Sequence, residues 1–404
     1  RRPATRREYK CFRGIKQNSK IMIKEILKFF LLLACLLLLS CKESNQSYLS
    51  LDHLIDKSKP VKIEYAKGFT LQKFDDGYIL EIKDPQDSIS FNYKYVLIKS
   101  NYSRYQELKS DEFTVIELPI TRAICMTSLQ LSAFIKLEKL ENICGITSTR
   151  HLFNGEVKDR IENGDIRRIG IEGNFDNEIV MEINPQIIFI SPFKRGGYET
   201  LAETGIPLMP HLGYKEKSPL GQAEWIRLIG VLTDSSPKAD SLFSIMSAQY
   251  NALKNRVDKI EKRPKILSGE MRGGNWYVVG GDSFLANLFK DAGADYFLKE
   301  DSNSGGLEMD FESVYNLAHD ADFWRLLVSH PGEYNYQTLS KIDSRYTDFK
   351  AYQNRSIIFC NLRDKPFYEN SPMEPQIVLA DIIKAIHPDI LPEHTPVYYS
   401  ILNK

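Results

Sequence analysis

The sequence predicts an α/β protein with two α/β lobes joined by one long rigid helix, and with an extra β-rich segment before the lobes. From residue 113 onward, short apolar runs alternate with helical stretches, which is typical of βα units and parallel sheets. One long helical stripe interrupts this alternation in the middle. Over residues 61–100, apolar and polar residues alternate with a period of two, which indicates antiparallel strands.

An apolar run over residues 29–39 is the first recognisable element of the chain. A spanning helix needs about 20 apolar residues, so this run is better suited to a secretory signal. It ends in Leu38-Leu39-Ser40-Cys41, which resembles a bacterial lipobox. We therefore expect residues 1–40 to be upstream residues and a lipoprotein signal peptide, with Cys41 lipidated. A plain signal peptide with an incidental cysteine is the alternative.

Removing the predicted signal changes the charge of the chain. The whole sequence carries 53 basic and 53 acidic residues, but residues 1–40 hold ten of the basic and only two of the acidic ones. Residues 41–404 are left with 43 basic and 51 acidic residues, a net charge of −8. Because phosphate binding needs a basic face, this balance argues against nucleic acid as a partner.

The predicted segments follow the changes of pattern along the chain. Residues 41–60 are a polar tether, and residues 61–110 are a β-rich extension with a hairpin turn at Asp75-Asp76-Gly77. The N-terminal lobe is predicted over 111–235, with its first strand in the run FTVIELP. The C-terminal lobe is predicted over 263–404, and its apolar runs include WYVVGG.

The connecting helix is predicted over residues 236–262. Its apolar residues from Phe243 to Ile260 are spaced by three and four, which produces one continuous stripe. Ser235 and Ser236 supply a cap, and Pro264 ends the helix. A stripe of under four heptads between two α/β lobes favours a strut that packs on both lobes over a coiled coil.

Cysteines and histidines give no sign of a metal site or of catalysis. Cys125, Cys144 and Cys360 lack a CxxC spacing, and we expect buried free thiols, although Cys125 and Cys144 could pair. The seven histidines are scattered without an i,i+4 pair. No G-x-S-x-G motif is present. We therefore predict a protein that is not an enzyme and has neither a metal site nor a cofactor of its own.

A similar helix–strand segment occurs once in each of the two predicted lobes, and we call this repetition the internal echo. The segments NEIVMEINPQIIFIS and FESVYNLAHDADFWRLLVS each begin a short helix with a glutamate and then enter a strand. The glutamates are Glu178 and Glu312. A glutamate in a first helical turn is stabilised by the helix dipole, which explains each one singly. Their repetition at matching places favours a paired role.

The segments RRIGIEGNFDNEIVMEINPQIIFIS, LAETGIPLMP and FYENSPMEPQIVLADIIKAIHP, in this order around the long helix, resemble the substrate-binding proteins of ABC importers for metal chelates. The resemblance covers the chain from about residue 113 to the C-terminus. It implies a ligand cleft between the lobes and one glutamate on each lobe tip that docks on the permease, here Glu178 and Glu312. It also implies an ABC permease with its ATPase as partners, and we expect a monomer. With the lipobox, it predicts lipid anchoring on the periplasmic side of a bacterial membrane or at the cell surface.

Loops at the carboxyl ends of the predicted strands should supply the cleft. Four of these loops combine aromatic and cationic residues, which suit a large and partly apolar anion. The candidate ligand-binding residues are Arg195, Tyr198, Tyr214, Arg272, Trp276, Tyr277, Arg363, Phe367 and Tyr368, with Lys194 beside them. We expect Arg195, Arg272 and Arg363 to grip the ligand while Trp276 and Tyr198 stack on it.

The predicted ligand is an anionic metal chelate, and a ferric siderophore is the first choice. The reason is that cationic residues are concentrated in these loops although residues 41–404 carry a net negative charge, which favours an anionic ligand. Cobalamin carries little net charge, and haem would use its propionates with a tyrosine or histidine as axial ligand. Both remain alternatives. A surface lipoprotein that binds glycans or peptides without an ABC permease is the alternative from another class.

Overall fold

A computed structural model describes residues 51–87, 92–100, 102–105, 108, 112–147, 149, 151–171, 173–192 and 198–403. Cys41 and the predicted signal lie outside these residues. The described chain begins with a five-stranded sheet of order β1-β2-β3-β4-β5. Its elements are α1 (Leu51–Lys57), β1 (Lys59–Pro60), β2 (Phe69–Phe74), β3 (Gly77–Lys83), β4 (Asn92–Ile98), α2 (Tyr102–Tyr105) and β5 (Thr114–Glu117).

This N-terminal sheet confirms one prediction and corrects another. Strands β2 and β3 form the predicted antiparallel hairpin, with the turn at Asp75 and Asp76. Strand β5, however, was predicted as the first strand of the N-terminal lobe, and this was wrong, because it pairs in parallel with β4. The pairing covers the apolar edge of β4, where Val96 and Leu97 are fully buried.

The first lobe contains a parallel sheet of order β12-β11-β6-β7-β8. Its elements are β6 (Ala123–Cys125), α3 (Ser128–Leu137), β7 (Ile143–Ile146), α4 (Gly155–Glu162), β8 (Arg167–Arg168), β9 (Gly170–Ile171), β10 (Asn174–Phe175), α5 (Asn177–Ile183), β11 (Ile187–Ile190), α6 (Tyr198–Ala202), β12 (Leu208–Pro210) and α7 (Pro219–Leu232). Strands β9 and β10 form a small separate hairpin.

A 22-residue helix, α8 (Ser236–Val257), follows the first lobe. It confirms the predicted connecting helix but ends five residues earlier than predicted. Phe243 and Met246 lie in the hydrophobic core of the first lobe, whereas Tyr250 and Val257 lie in a core of the second. The helix therefore packs on both lobes, as a strut would, and spans roughly 33 Å at 1.5 Å per residue.

The second lobe contains a sheet of order β16-β13-β18-β19-β20 in which only β20 is antiparallel. Its elements are β13 (Lys265–Ser268), β14 (Glu270–Arg272), β15 (Asn275–Val279), α9 (Phe284–Asp291), β16 (Asp295–Tyr296), β17 (Gly306–Met309), α10 (Phe311–Ala318), β18 (Phe323–Val328), α11 (Tyr336–Ile342), α12 (Lys350–Gln353), β19 (Ile357–Asn361), α13 (Phe367–Asn370), α14 (Pro375–Ile386) and β20 (Ser400–Ile401).

The apolar run WYVVGG lies in a different sheet from the one predicted. Strand β15 forms a three-stranded antiparallel sheet with β14 and β17 instead of joining the parallel sheet. The cause is local: Gly273 and Gly274 both have positive φ, 60° and 95°, and they close a two-residue hairpin between Arg272 and Asn275. The strand is thereby turned back on its predecessor.

The two lobes share one sheet topology. When the two-residue strand β8 is left out of the first sheet and the antiparallel β20 is left out of the second, the four remaining strands of each lobe, numbered along the chain, have the spatial order 4-3-1-2. They are β12-β11-β6-β7 in the first lobe and β19-β18-β13-β16 in the second. Helices α5 and α10 each precede the third of these strands. The internal echo of the sequence is therefore a structural equivalence. In such sheets, ligands bind beyond the carboxyl ends of the strands where the order reverses.

Two buried carboxylates, those of Glu216 and Glu224, fasten the N-terminal sheet to the first lobe. Glu224 on α7 is fully buried and accepts hydrogen bonds from the backbone N–H groups of Glu64, Tyr65 and Ala66 at 2.6–3.0 Å. Its carboxylate also pairs with Arg227 at 3.0 Å. Because neutral backbone donors and one cation satisfy this carboxylate, the charge is tolerated in the interior.

Replacing Glu224 with alanine should lower the free energy of unfolding by about 3 kcal/mol, because three backbone N–H groups, including that of the buried Ala66, lose their acceptor and Arg227 loses a buried carboxylate partner. Urea unfolding monitored by circular dichroism measures the change. The exposed Glu138, which pairs with Lys238 at 2.7 Å, is the matched control, and Glu138→Ala should leave the unfolding midpoint close to wild type. Equal midpoints for the two variants would show that Glu224 does not fasten the sheet.

Candidate ligand-binding cleft

A cavity of about 640 Å³ lies between the two lobes, and we call it the cleft cavity. Its volume falls in the range of small-molecule sites. The first lobe contributes Leu129, Pro192, Tyr214 and Lys215, and the second contributes Val279, Phe284, Leu285, Arg325, Phe367, Tyr368 and Tyr399. The cavity thus depends on both lobes, in agreement with the expected position of a ligand site.

The walls of the cleft cavity are largely apolar and aromatic. Among the described residues that line it, Lys215 and Arg325 are the only charged ones, and both are cations. Lys215 is paired through its Nζ with the carboxylate of Asp84. The cavity therefore combines apolar walls with one cation that is already neutralised and a second, Arg325.

Arg325 is a half-buried cation without a carboxylate partner. Within the part of the chain that the structure describes, no carboxylate oxygen lies within 4.0 Å of its guanidinium, and its Nε is buried without a hydrogen-bond partner. Its Nη2 donates to the hydroxyl of Tyr399, and the guanidinium lies 5.1 Å from the centre of that ring. A desolvated cation of this kind favours an anionic ligand.

The position of Tyr399 is fixed by a buried acid. Asp381 is fully buried and accepts hydrogen bonds from the backbone N–H groups of Tyr398 at 2.6 Å and Tyr399 at 3.0 Å. His394 lies 2.7 Å from the same carboxylate. Burial raises the pKa of Tyr399 above its ordinary value, although Arg325 acts in the opposite direction. Tyr399 therefore meets Arg325 as a neutral phenol.

Two smaller cavities continue the cleft. A cavity of about 420 Å³ shares Val279, Leu285, Arg325 and Tyr368 with the cleft cavity and is also lined by Arg272. A third cavity, of about 380 Å³, shares its wall with the second and is lined by Lys158 and Arg363. Arg325 thus lies where the apolar cleft cavity meets a more polar groove.

The structure distributes the predicted ligand residues over all three cavities. Tyr214, Phe367 and Tyr368 line the cleft cavity. Arg272 and Tyr277 line the second cavity together with Tyr368, and Arg363 lines the third. Lys194 and Arg195 lie outside the described residues. The hydroxyl of Tyr198 donates to the carbonyl of Ser191 at 2.6 Å, and Tyr198 is not among the residues that line these cavities.

The prediction that Trp276 stacks on the ligand was wrong. Its side chain is fully buried among Trp324, Tyr346 and Phe349, and its Nε1 donates to the carbonyl of Ser268 at 3.1 Å. The reason is the two-residue period of strand β15, which sends Trp276 into the core and its neighbour Tyr277 outward. Sequence adjacency in a strand does not place two aromatic residues on one face.

Arg272 is less available than its position in a predicted cleft loop implied. Its Nε and Nη2 donate to a carboxylate oxygen of Glu270 at 3.1 and 2.8 Å. The hairpin that carries both residues therefore compensates the charge locally. Arg325, which sequence analysis did not select, has no carboxylate partner among the residues that the structure describes. The sequence feature that could have identified Arg325 is its position as the one charged residue within the apolar run FWRLLV, which forms a strand.

The predicted docking glutamates occupy equivalent places in the two lobes. Glu178 is the second residue of α5, and Glu312 is the second residue of α10. Both are exposed. Each follows an aspartate cap, Asp176 or Asp310, whose side chain accepts a backbone N–H three residues later at 3.1 or 2.7 Å. The caps determine where the helices begin, and Glu312 in addition lies 3.9 Å from the guanidinium of Arg345.

The three described cysteines are free and buried, which confirms the prediction of unpaired thiols. Burial raises the pKa of Cys144 to about 11 and that of Cys360 to about 12. No group of three or more histidine, cysteine or acidic residues suited to a metal ion occurs in the described ranges. Among the helices that these ranges contain, none has the length and hydropathy needed to cross a membrane.

Comparison with known proteins decides the family. The family model of the periplasmic binding proteins matches residues 124–362, more than half of the chain. The chain belongs to the periplasmic binding protein family. This confirms the resemblance inferred from the sequence. An uncharacterized lipoprotein of Methanocaldococcus jannaschii is 24% identical over 357 residues, which cover 81% of this chain and 82% of that relative.

Solved structures of periplasmic binding proteins confirm the two-lobed α/β fold. One from Veillonella parvula has a TM-score of 0.56 at 13% identity and covers 80% of this chain and 98% of its own. A periplasmic haem-binding protein from Pseudomonas aeruginosa has a TM-score of 0.55 at 15% identity and covers 70% and 98%. The family is one of binding proteins. The family match begins after the N-terminal sheet, which ends at Glu117.

Proposed function

We propose that this periplasmic binding protein captures an anionic metal chelate in its cleft and delivers it to the permease of an ABC importer. Arg325 is the single observation that carries the proposal. It is a half-buried cation at the end of the apolar cleft cavity, and none of the described residues that line this cavity is acidic. Such a site favours a ligand with an apolar body and an anionic edge.

A ferric siderophore is the ligand that we propose first, and haem is the second candidate. Phe284, Phe367 and Tyr368 offer flat apolar surface to either ligand, while Arg325 offers a charge-assisted hydrogen bond to a chelate oxygen or to a propionate. Haem is favoured specifically by the apolar character of the cleft cavity, and tyrosine can act as an axial ligand of haem iron. The haem-binding neighbour from P. aeruginosa has the same fold. Cobalamin presents less charge to Arg325 and is a poorer match.

Isothermal titration calorimetry with the purified protein tests the ligand class. The panel comprises ferric hydroxamate, ferric catecholate and ferric carboxylate siderophores, haem and cyanocobalamin. We expect micromolar or tighter binding of at least one anionic chelate, as the cavity size and charge imply. Iron-free siderophores in the same titrations serve as controls. Tight binding of cyanocobalamin alone would overturn the proposed ligand and leave the family unchanged.

We propose that a lipid on Cys41 keeps the protein beside its permease. Tethering raises the local concentration of the ligand-loaded protein, so that even weak docking is effective. The relative from M. jannaschii is named a lipoprotein, which supports this placement outside the cytoplasm. The proposed partners are the permease and its ATPase.

Replacing Cys41 with alanine should abolish lipid labelling and move the protein from the membrane fraction to the soluble fraction. Growth with radiolabelled palmitate followed by fractionation measures both effects. Cys125→Ala is the matched control, because that thiol is buried in the first lobe and its loss should leave the lipid label in place. A Cys41→Ala protein that still carries labelled lipid would refute the anchor.

A further inference from the structure

A loop of the N-terminal sheet reaches the cleft cavity, although it lies outside the region matched by the family. Strand β3 ends at Lys83, and Gln86, three residues later, lines the cleft cavity. Asp84 lies between them and is 4% exposed. Its carboxylate pairs with Nζ of Lys215, which also lines the cavity. The sheet therefore supplies both a wall residue and a countercharge to the site.

Contacts with the first lobe hold this loop in place. The N–H of Lys83 donates to the carbonyl of Gly68 at 2.9 Å, and the N–H of Gly68 donates to the buried carboxylate of Glu216 at 2.8 Å. Trp225 Nε1 donates to the same carboxylate at 2.9 Å. A Cβ at position 68 would lie 2.8 Å from the ring of Trp225, so that only glycine permits this close approach.

The loop also carries its own internal support. The N–H of Gln86 donates to Oδ1 of Asp84 at 2.9 Å, while the other carboxylate oxygen faces Lys215. Asp84 thus fixes the backbone of Gln86 and neutralises Lys215 at the same time. Of the two cations that line the cleft cavity among the described residues, Arg325 alone is left without a carboxylate.

We infer that the loop over residues 84–87 sets the charge specificity of the cleft, with Gln86 touching the bound ligand and Asp84 withholding Lys215 from it. The cleft then accepts a ligand that presents one anionic group, to Arg325, in preference to a ligand that presents two. The inference rests on the proposed function in that the ligand is an anion bound in the cleft cavity. It assigns a part of the specificity to a segment outside the family match.

Two probes that share the same apolar body but differ in the number of anionic groups test the inference directly. Naphthalene-2-sulfonate and naphthalene-2,6-disulfonate are titrated by calorimetry into the full-length protein and its variants in detergent. The measured quantity is the ratio of their affinities, from which effects common to both probes cancel. Asp84→Asn keeps the shape of the side chain and frees the charge of Lys215. We expect it to shift the ratio roughly tenfold toward the disulfonate.

Further variants separate charge from folding. Lys215→Met should shift the ratio in the opposite direction, and the double variant Asp84→Asn/Lys215→Met should return it to near wild type. Asp234→Asn is the control, since it breaks a more exposed ion pair between the N-terminal sheet and the lobe, that with Lys99 at 2.6 Å, and neither of these residues lines the three cavities. It should leave the ratio unchanged. Thermal melting of each variant verifies folding, and Lys215→Met provides the test if Asp84→Asn does not fold.

The outcomes distinguish this inference from the proposed function. A shifted ratio in Asp84→Asn, with no metal chelate bound by the wild type, supports the inference and overturns the proposed ligand class. An unchanged ratio in both folded single variants, with a chelate bound by the wild type, overturns the inference alone. Gln86→Ala should in addition weaken the best chelate of the panel about three- to tenfold, and an unaltered affinity would contradict the ligand contact. A wild type that binds neither sulfonate nor any chelate overturns both.

Discussion

Replacing Arg325 with alanine is expected to weaken binding of the chelate by roughly 10- to 150-fold, because a hydrogen bond to a charged group is worth about 1.5–3 kcal/mol. The guanidinium has no carboxylate partner among the described residues, so a ligand anion is the group that gains most from it. Calorimetric titration with the best ligand of the panel measures the loss. Arg325→Lys should recover part of the affinity, since a lysine keeps the charge but not the planar pair of donors.

The matched control is Arg272→Ala. Arg272 lines the second cavity, but its charge is already paired with Glu270 at 2.8 Å. We expect the Kd of this variant to change less than threefold. Because Arg325 also contacts Tyr399, thermal melting of Arg325→Ala is measured alongside the titration. A folded Arg325→Ala protein with wild-type affinity would show that the ligand does not meet this cation.

Charge reversal of both predicted docking glutamates is expected to reduce uptake at least tenfold while the Kd for the ligand stays within about twofold of wild type. Glu178 and Glu312 are exposed on equivalent helices of the two lobes, and neither lines any of the three cavities described above. Rim charges act mainly on association with a partner, and reversal opposes the cationic surface expected on the permease. Transport of the labelled chelate into cells that express each variant measures the effect.

Glu156 provides a close control for Glu178. It is also exposed and is also the second residue of a helix that follows a polar cap, here Asn154, whose Oδ1 accepts the N–H of Val157 at 3.0 Å. Glu156→Lys therefore places a cation in the first turn of a helix, with the same unfavourable helix-dipole interaction as Glu178→Lys. Unlike Glu178, however, Glu156 is not at a position equivalent to that of Glu312. If Glu156→Lys and Glu178→Lys give equal uptake, and the double reversal of Glu178 and Glu312 transports normally, then the two glutamates serve only to stabilise their helices.

The sequence predicted best what depends on local pattern. The hairpin at Asp75 and Asp76 and the long helix α8 both follow from short-range periodicity and cap residues. The equivalence of Glu178 and Glu312 was recognisable because each lobe repeats one helix–strand unit. These features need no knowledge of which strand pairs with which.

What the sequence did not predict depends on long-range pairing. Strand β6, central in the first sheet, has only three residues, Ala123–Cys125, too few to show a period, whereas the longer apolar run at β5 pairs elsewhere. Which face of a strand Trp276 occupies depends on the register of β15 with β14 and β17. Tyr399 enters the cleft from the chain end because Asp381 binds its backbone, an interaction with no sequence pattern of its own.

The most direct test of the central claim is the ligand that the protein carries when it is isolated from iron-limited cells of its source. Absorption spectroscopy and native mass spectrometry are applied to the wild type and to Arg325→Ala, purified side by side under the same conditions. We predict that the wild type carries one anionic metal chelate per chain, with its charge-transfer or Soret band, and that Arg325→Ala carries little or none. A wild type that carries no metal chelate, or an Arg325→Ala protein equally loaded, would contradict capture of an anionic chelate in the cleft.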